Sequence, residues 1–202
     1  MLKLHCFSLN FPKFGLVISK FWQMKFPVWC WVFLLLFAAC RAGLPERPED
    51  YPQFIGKEFP DFELRNLSGE IIRWSDYKGK PALINFWFAK CPPCVAEIPH
   101  LNDIQRDFSQ EDVVFLGITP DDSLSTVHFA ARHKFSFTLL PDAQQFINYF
   151  GNEYPMNVFV DKKGIIRHAR GAIPTSFNEK NPQGFMDDRA FRRFLGQLIR
   201  ER

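Results

Sequence analysis

The chain has few cysteines for a small exported scaffold. Five stand among 202 residues, and only Cys91 and Cys94 lie beyond residue 40. A secreted fold held by bridges needs several pairs, so this chain must rely on an apolar core. It also lacks an apolar run long enough to cross a bilayer. The uncharged apolar run of residues 26–39 (FPVWCWVFLLLFAA) has 14 residues, against the roughly 20 that a spanning helix requires. The first 39 residues lack acidic side chains while carrying Lys3, Lys13, Lys20 and Lys25. The overall charge of +3 therefore misleads, because the remainder holds 21 basic and 22 acidic residues, a net charge of −1. A polyanion-binding protein keeps a basic surface after trimming, which excludes nucleic acid as a partner. Internal repeats and low-complexity tracts are missing too, and the 24 phenylalanines are spread along the chain. With 47% hydrophobic and 23% charged residues, the composition is that of an ordinary globular core.

What is present begins with a leader. The 26–39 run follows Lys25 and has the length and flanks of a signal-peptide core, so residues 1–39 read as a signal peptide. It ends Phe37-Ala38-Ala39-Cys40, which resembles the lipobox of bacterial lipoproteins. That resemblance implies cleavage before Cys40 and a lipid on its sulfur, with Phe37 standing where an aliphatic residue is usual. Met24 opens a complete signal by itself, so translation from Met24 is one reading and a long positive leader from Met1 is another. An uncleaved membrane anchor is a third. After cleavage and lipidation, Cys91 and Cys94 are the two free thiols of the mature chain. Their spacing closes a loop too short to be selected for stability, so the pair is there for chemistry.

Residues 40–53, rich in proline and charge, read as the lipidated cysteine and a tether, and 54–202 as one domain. Phe62–Arg65 and Ile71–Trp74 flank Asn66-Leu67-Ser68-Gly69 as an N-terminal hairpin. Ala82–Phe88 (ALINFWF) reads as a buried central strand. Val95, Ile98, Leu101, Ile104 and Phe108 recur at helical spacing over residues 92–108. There follow a strand over Val113–Ile118, a helix over Ser123–Lys134 with Ser123 as its cap, a short strand over Phe135–Leu140 and a helical patch over Ala143–Phe150. A second hairpin joins Asn157–Val160 to Ile165–His168, and a helix from about Asp188 to Arg200 ends the chain. This order predicts an α/β domain with a central mixed sheet covered by helices on both faces.

Cys91-Pro92-Pro93-Cys94 falls where the buried strand ends and the first helix begins. A thiol at a helix N-terminus sits at the positive end of the macrodipole, which favours the thiolate that attacks disulfides. Cys91 is then the attacking sulfur and Cys94, one turn into the helix, the resolving one. The prolines suit a first turn, whose amides have no intrahelical partners. Zinc would need two further ligands, and His100, His128, His133 and His168 show no paired spacing. No metal and no cofactor is expected.

The segment Asn85–Pro99 (NFWFAKCPPCVAEIP) resembles the active-site region of TlpA/ResA/CcmG-type thioredoxin-like proteins, a group related to the AhpC/TSA and redoxin proteins. The resemblance runs from about Ile55 to Ala172 and includes Pro141-Asp142 and Tyr154-Pro155-Met156-Asn157. It implies a thioredoxin-like fold with an insertion between the CxxC helix and the strand that follows a cis proline. It also implies thiol–disulfide oxidoreductase activity at a redox-active Cys91–Cys94 disulfide. Pro155 would be the cis proline whose loop grips the substrate chain, with Tyr154 and Trp87 as neighbouring substrate-binding candidates or simply packing residues. Glu97, three residues after Cys94, would shuttle a proton during exchange; the other reading is a solvated residue complementing the helix N-terminus. Asn85 stands where thioredoxin has a buried aspartate, and Lys90 where it has a tryptophan.

Pro92 and Pro93 offer no N–H to the Cys91 sulfur, and a nearby Glu97 carboxylate disfavours a second negative charge. Both effects favour a reductant over an oxidant of the DsbA kind, while the Lys90 charge opposes them weakly. The family resemblance implies protein thiols or disulfides as partners, apocytochrome c thiols among them, and a CcdA- or DsbD-type membrane electron donor. The expected location is the periplasm or cell envelope, with a lipid anchor in the membrane. Two other readings stay open. A thiol peroxidase of peroxiredoxin type would usually have threonine where Phe88 stands, and a Sco-type copper metallochaperone would have CxxxC rather than CxxC.

Overall fold

The computed structural model describes residues 50–178 and 181–201. The segment read as a signal peptide, Met24 and Cys40 lie outside the described residues. Asn66 makes the first reversal of the chain, its Oδ1 accepting from the amides of Ser68 at 3.0 Å and Glu70 at 2.9 Å. Gly69 completes the turn at φ +86°, a conformation that costs a glycine little. The flanking segments pair antiparallel as β1 (Glu63–Arg65) and β2 (Ile71–Arg73), with Leu64 opposite Ile72.

The next strand, β3 (Ala82–Phe86), is buried at every position. It lies at the centre of a five-stranded sheet of order β5-β4-β3-β6-β7. β4 (Val114–Ile118) runs parallel to it and β5 (Thr138–Leu140) parallel to β4. β6 (Met156–Val160) and β7 (Ile166–Arg170) continue the other side antiparallel. A strand covered on both faces has no solvated side, which is why ALINF lacks polar alternation.

Among the described residues the α-helices are α1 (Pro92–Asp107), α2 (Ser123–His133), α3 (Gln144–Ile147) and α4 (Arg189–Arg200). Two apolar clusters sandwich the sheet. Ala82, Ile84 and Phe86 pack with Phe59, Trp74, Ile147 and Phe150. Leu83 and Trp87 pack with Ile98, Leu101 and Ile104 of α1 and with Phe191, Phe194 and Leu198 of α4. Side chains alternate along a strand, so Asn85 shares the α1 side with Leu83 and Trp87.

The elements follow the expected order, with local differences. The short strand expected over Phe135–Leu140 starts at Thr138; Phe135 and Phe137 are buried in the α1-side cluster ahead of the ladder. Asp122, not Ser123, caps α2, its Oδ1 accepting from the Ser125 amide at 2.8 Å. The end of the segment read as tether packs onto the domain. Asp50 Oδ2 accepts from the Gly171 amide at 2.7 Å, and the Tyr51 amide donates to the Ala169 carbonyl at 3.3 Å. A further hairpin, β8 (Thr175–Asn178) with β9 (Asn181–Met186), stands between β7 and α4. Its proline and glycine argue against a strand on sequence alone.

Gly117 lets the α1-side cluster close over β4. A Cβ there would come 2.7 Å from Leu139 Cδ2 and 3.1 Å from Trp87 Nε1. We expect Gly117→Val to lower the stability of the oxidised protein by about 1–3 kcal/mol through overpacking, read as a lower urea midpoint.

Candidate active site

The end of β3 and the start of α1 set the two cysteines. Cys91 and Cys94 form a disulfide with their Cα atoms 5.3 Å apart. Cys91 is the N-cap of α1, and its Sγ accepts from the Cys94 amide at 3.2 Å. Pro92 and Pro93 occupy the intervening positions without N–H groups, so Cys94 carries the first amide of the motif able to reach that sulfur. Cys91 keeps 3% of its surface exposed and Cys94 1%, so the pair sits at the rim of the core. Asp121 fixes the loop in front of it. Its Oδ2 accepts from the Ala89 amide at 2.6 Å and from Thr119 Oγ1 at 3.2 Å.

Glu97 is on the buried stripe of α1, with Cys94, Ile98, Leu101 and Ile104. It is fully inaccessible, which removes the solvated-residue reading. Asn85 Nδ2 donates to its Oε1 at 2.8 Å, and the Ile173 amide donates to its Oε2 at 3.0 Å. Asn157 Nδ2 lies 3.3 and 3.4 Å from the two carboxylate oxygens. Burial pushes the Glu97 carboxyl up from its ordinary 4.5 to about 7, while the Ile173, Asn157 and Asn85 hydrogen bonds pull it back. A buried carboxyl titrating near neutrality is suited to taking and giving protons.

The Tyr154–Pro155 peptide bond is cis. Tyr154 is half-buried, its ring edge-on to Phe88 at 5.0 Å, and burial raises its phenol. The Pro155 carbonyl lies 3.9 Å from where a Gly171 Cβ would stand, so the β7 exit loop runs beside the proline. Trp87 is wholly buried, 4.6 Å from the Phe129 ring and 5.5 Å from that of Phe135. It offers no surface to a substrate in this structure and matches the packing reading instead. Lys90 directly precedes Cys91 and is exposed.

Sequence reasoning singled out Glu97 and noted Asn85, but not that they bond each other, and it missed Asn157 and Asp121. One signal was available for Asn157. It and Asn85 are single amides in otherwise apolar strands, and each needs a buried partner. The Ile173 contribution is a backbone amide and has no sequence signal.

A disulfide at a strand-to-helix junction, with a cis proline heading the strand paired to that one, on a central mixed sheet flanked by helices, defines a thioredoxin-like protein. Residues 55–169 match the AhpC/TSA family, more than half of the chain, and the chain belongs to that family. It is 29% identical over 123 residues to the thiol-disulfide oxidoreductase ResA of Bacillus thuringiensis, covering 61% of this chain and 62% of that one. It is 34% identical over 116 residues to the thioredoxin-like protein YneN of Bacillus subtilis, covering 55% and 68%. The chain thus spans just under two thirds of the length of that ResA. A crystal structure of the exposed lipoprotein thioredoxin of Streptococcus pneumoniae superposes with a TM-score of 0.52 at 27% identity, covering 69% of this chain and 100% of the other.

Glu97 makes stability depend on pH. Between about 4.5 and about 7 the folded protein binds a proton that the unfolded chain has released. Stability therefore falls as pH rises through that window, at up to ~1.4 kcal/mol per pH unit from this group. Urea unfolding of the oxidised protein at pH 5 and pH 8 should show that loss, and Glu97→Gln should make it smaller.

Proposed function

We propose that this protein is an exported thiol–disulfide oxidoreductase that reduces protein disulfides through Cys91 and Cys94. The observation that carries the reading is the cysteine pair at the start of α1 with a buried, neutral-titrating carboxyl one turn further on. In the reduced protein the Cys91 thiolate attacks a substrate disulfide. A Cys91–substrate S–S bond forms, and one substrate sulfur leaves as a thiolate that takes a proton. Glu97 then accepts the proton of the Cys94 thiol. The Cys94 thiolate attacks the Cys91 sulfur, forming the Cys91–Cys94 disulfide and releasing the second substrate sulfur. Two electrons pass to the substrate, and a membrane donor of the CcdA or DsbD type returns them.

Several features support the reductive direction. The Cys91 sulfur receives an amide hydrogen bond from Cys94 across two prolines that have none to give. A buried carboxylate nearby also penalises further negative charge. The missing proline amides and the carboxylate both disfavour a Cys91 thiolate, the single Cys94 amide opposes them, and a disfavoured thiolate makes the dithiol the better reductant. Pro155 and Tyr154 would lie along the bound substrate segment, and apocytochrome c thiols belong to the substrate class that fits. The leader and Cys40 would place the protein at the outer face of a membrane, held by lipid. The likeness to an exposed lipoprotein thioredoxin accords with that placement.

Equilibration with thiol buffers tests the direction. A reduction potential near or below thioredoxin's roughly −270 mV is expected. One near the roughly −120 mV of DsbA would recast the protein as an oxidant. Cys91→Ser should abolish exchange with a protein disulfide, and Cys94→Ser should accumulate a mixed disulfide visible on a non-reducing gel.

A further inference from the structure

Asn157 is the second residue of β6, directly opposite Asn85 in the antiparallel register. Its amide nitrogen has two hydrogens. One serves the Gly171 carbonyl at 3.0 Å, and the other lies between the two Glu97 oxygens. Its Oδ1 accepts from Asn85 Nδ2 at 2.9 Å, which fixes which way the amide faces. The hydrogen bonds recorded at Glu97 all run toward it, from Asn85, Asn157 and the Ile173 amide. Such a donor set favours the carboxylate form, whereas burial favours the acid.

The charged residues carried by the same elements are few. β3 and β6 have none. α1 carries His100, Asp103, Arg106 and Asp107 toward its solvent-facing end, and its cysteines become titratable when reduced. The exit of β7 carries Arg170, whose guanidinium lies over the Phe194 ring, and Asp50 bonds the Gly171 amide. The Glu97 donors themselves are neutral amides.

We propose that Asn157 is the positioning residue that keeps Glu97 able to ionise inside the core and ties it to the loop beside Pro155. The inference rests on the reading of Glu97 as proton carrier. Asn157 holds the carboxylate with one hydrogen and the loop carbonyl with the other, so proton affinity and loop position share one side chain. Without it Glu97 keeps its burial and loses a donor, and the acid form gains.

The test uses the full-length chain carrying ¹³C-carboxyl-labelled glutamate, with the Glu97 signal assigned by its loss in E97Q. Two β-branched, nearly isosteric variants isolate the hydrogen bond, since N157T retains a donor and N157V has none. The Glu97 titration midpoint should rise by about one pH unit or more in N157V and return toward wild type in N157T. The pH profile of disulfide exchange should move in the same direction. An unmoved midpoint in folded N157V, or equal midpoints in N157V and N157T, would overturn the assignment. Should N157V not fold, N157A is titrated in its place under the same criteria. If E97Q leaves the exchange profile unchanged while N157V still moves the midpoint, the proton-carrier role fails and the Asn157 assignment stands.

Discussion

Removing a carboxyl group from water penalises its charged form by several kcal/mol unless hydrogen bonds replace the lost hydration. Glu97 meets that condition only because three separate parts of the chain converge on it: β3 through Asn85, β6 through Asn157, and the loop after β7 through the Ile173 amide. The replacement is partial, and the carboxyl is left near neutrality. The register that pairs Asn85 with Asn157 and the helix phase that turns Glu97 toward the sheet are both needed for it.

The same geometry places the sulfur chemistry. Cys94 and Glu97 are one turn apart on the buried stripe of α1, and residues three apart on a helix are neighbours. Cys91 lies at the N-terminal end of that stripe, where the helix meets the strand exit and the two prolines leave the first amides absent. The apolar packing of Trp87, Phe129 and Phe135 beneath it makes the strand exit stiff, and Asp121 pins the loop by the Ala89 amide. A reactive disulfide at the core edge therefore rests on rigid elements, which precise positioning of reacting groups requires.

Much of this was legible from residue order. ALINFWF read as a doubly covered strand, whose ladder ends at Phe86, the CxxC read as opening the following helix, and Asn-Leu-Ser-Gly marked the first hairpin. Other features resisted because local signals pointed elsewhere. The β8–β9 hairpin contains Pro182 and Gly184 and reads as loop, and Asp50 and Tyr51 read as tether until their bonds to Gly171 and Ala169 are seen. Trp87 stood as either a substrate-binding candidate or a packing residue, and strand alternation sends it into the α1-side cluster with Leu83.

The sequence by itself determined the α/β fold class and the cysteine pair, because periodicity and motif spacing are local properties that survive without coordinates, and the family resemblance added Glu97 as a candidate. Only the tertiary structure decided that Glu97 is buried rather than solvated, and that Asn85 and Asn157 face each other across two strands 72 residues apart. It alone supplied the Ile173 backbone amide as a further donor. Those facts depend on strand register and on which helix face meets which sheet face. Contacts between distant segments fix both, so the charge of a buried group can be read only after the chain has folded.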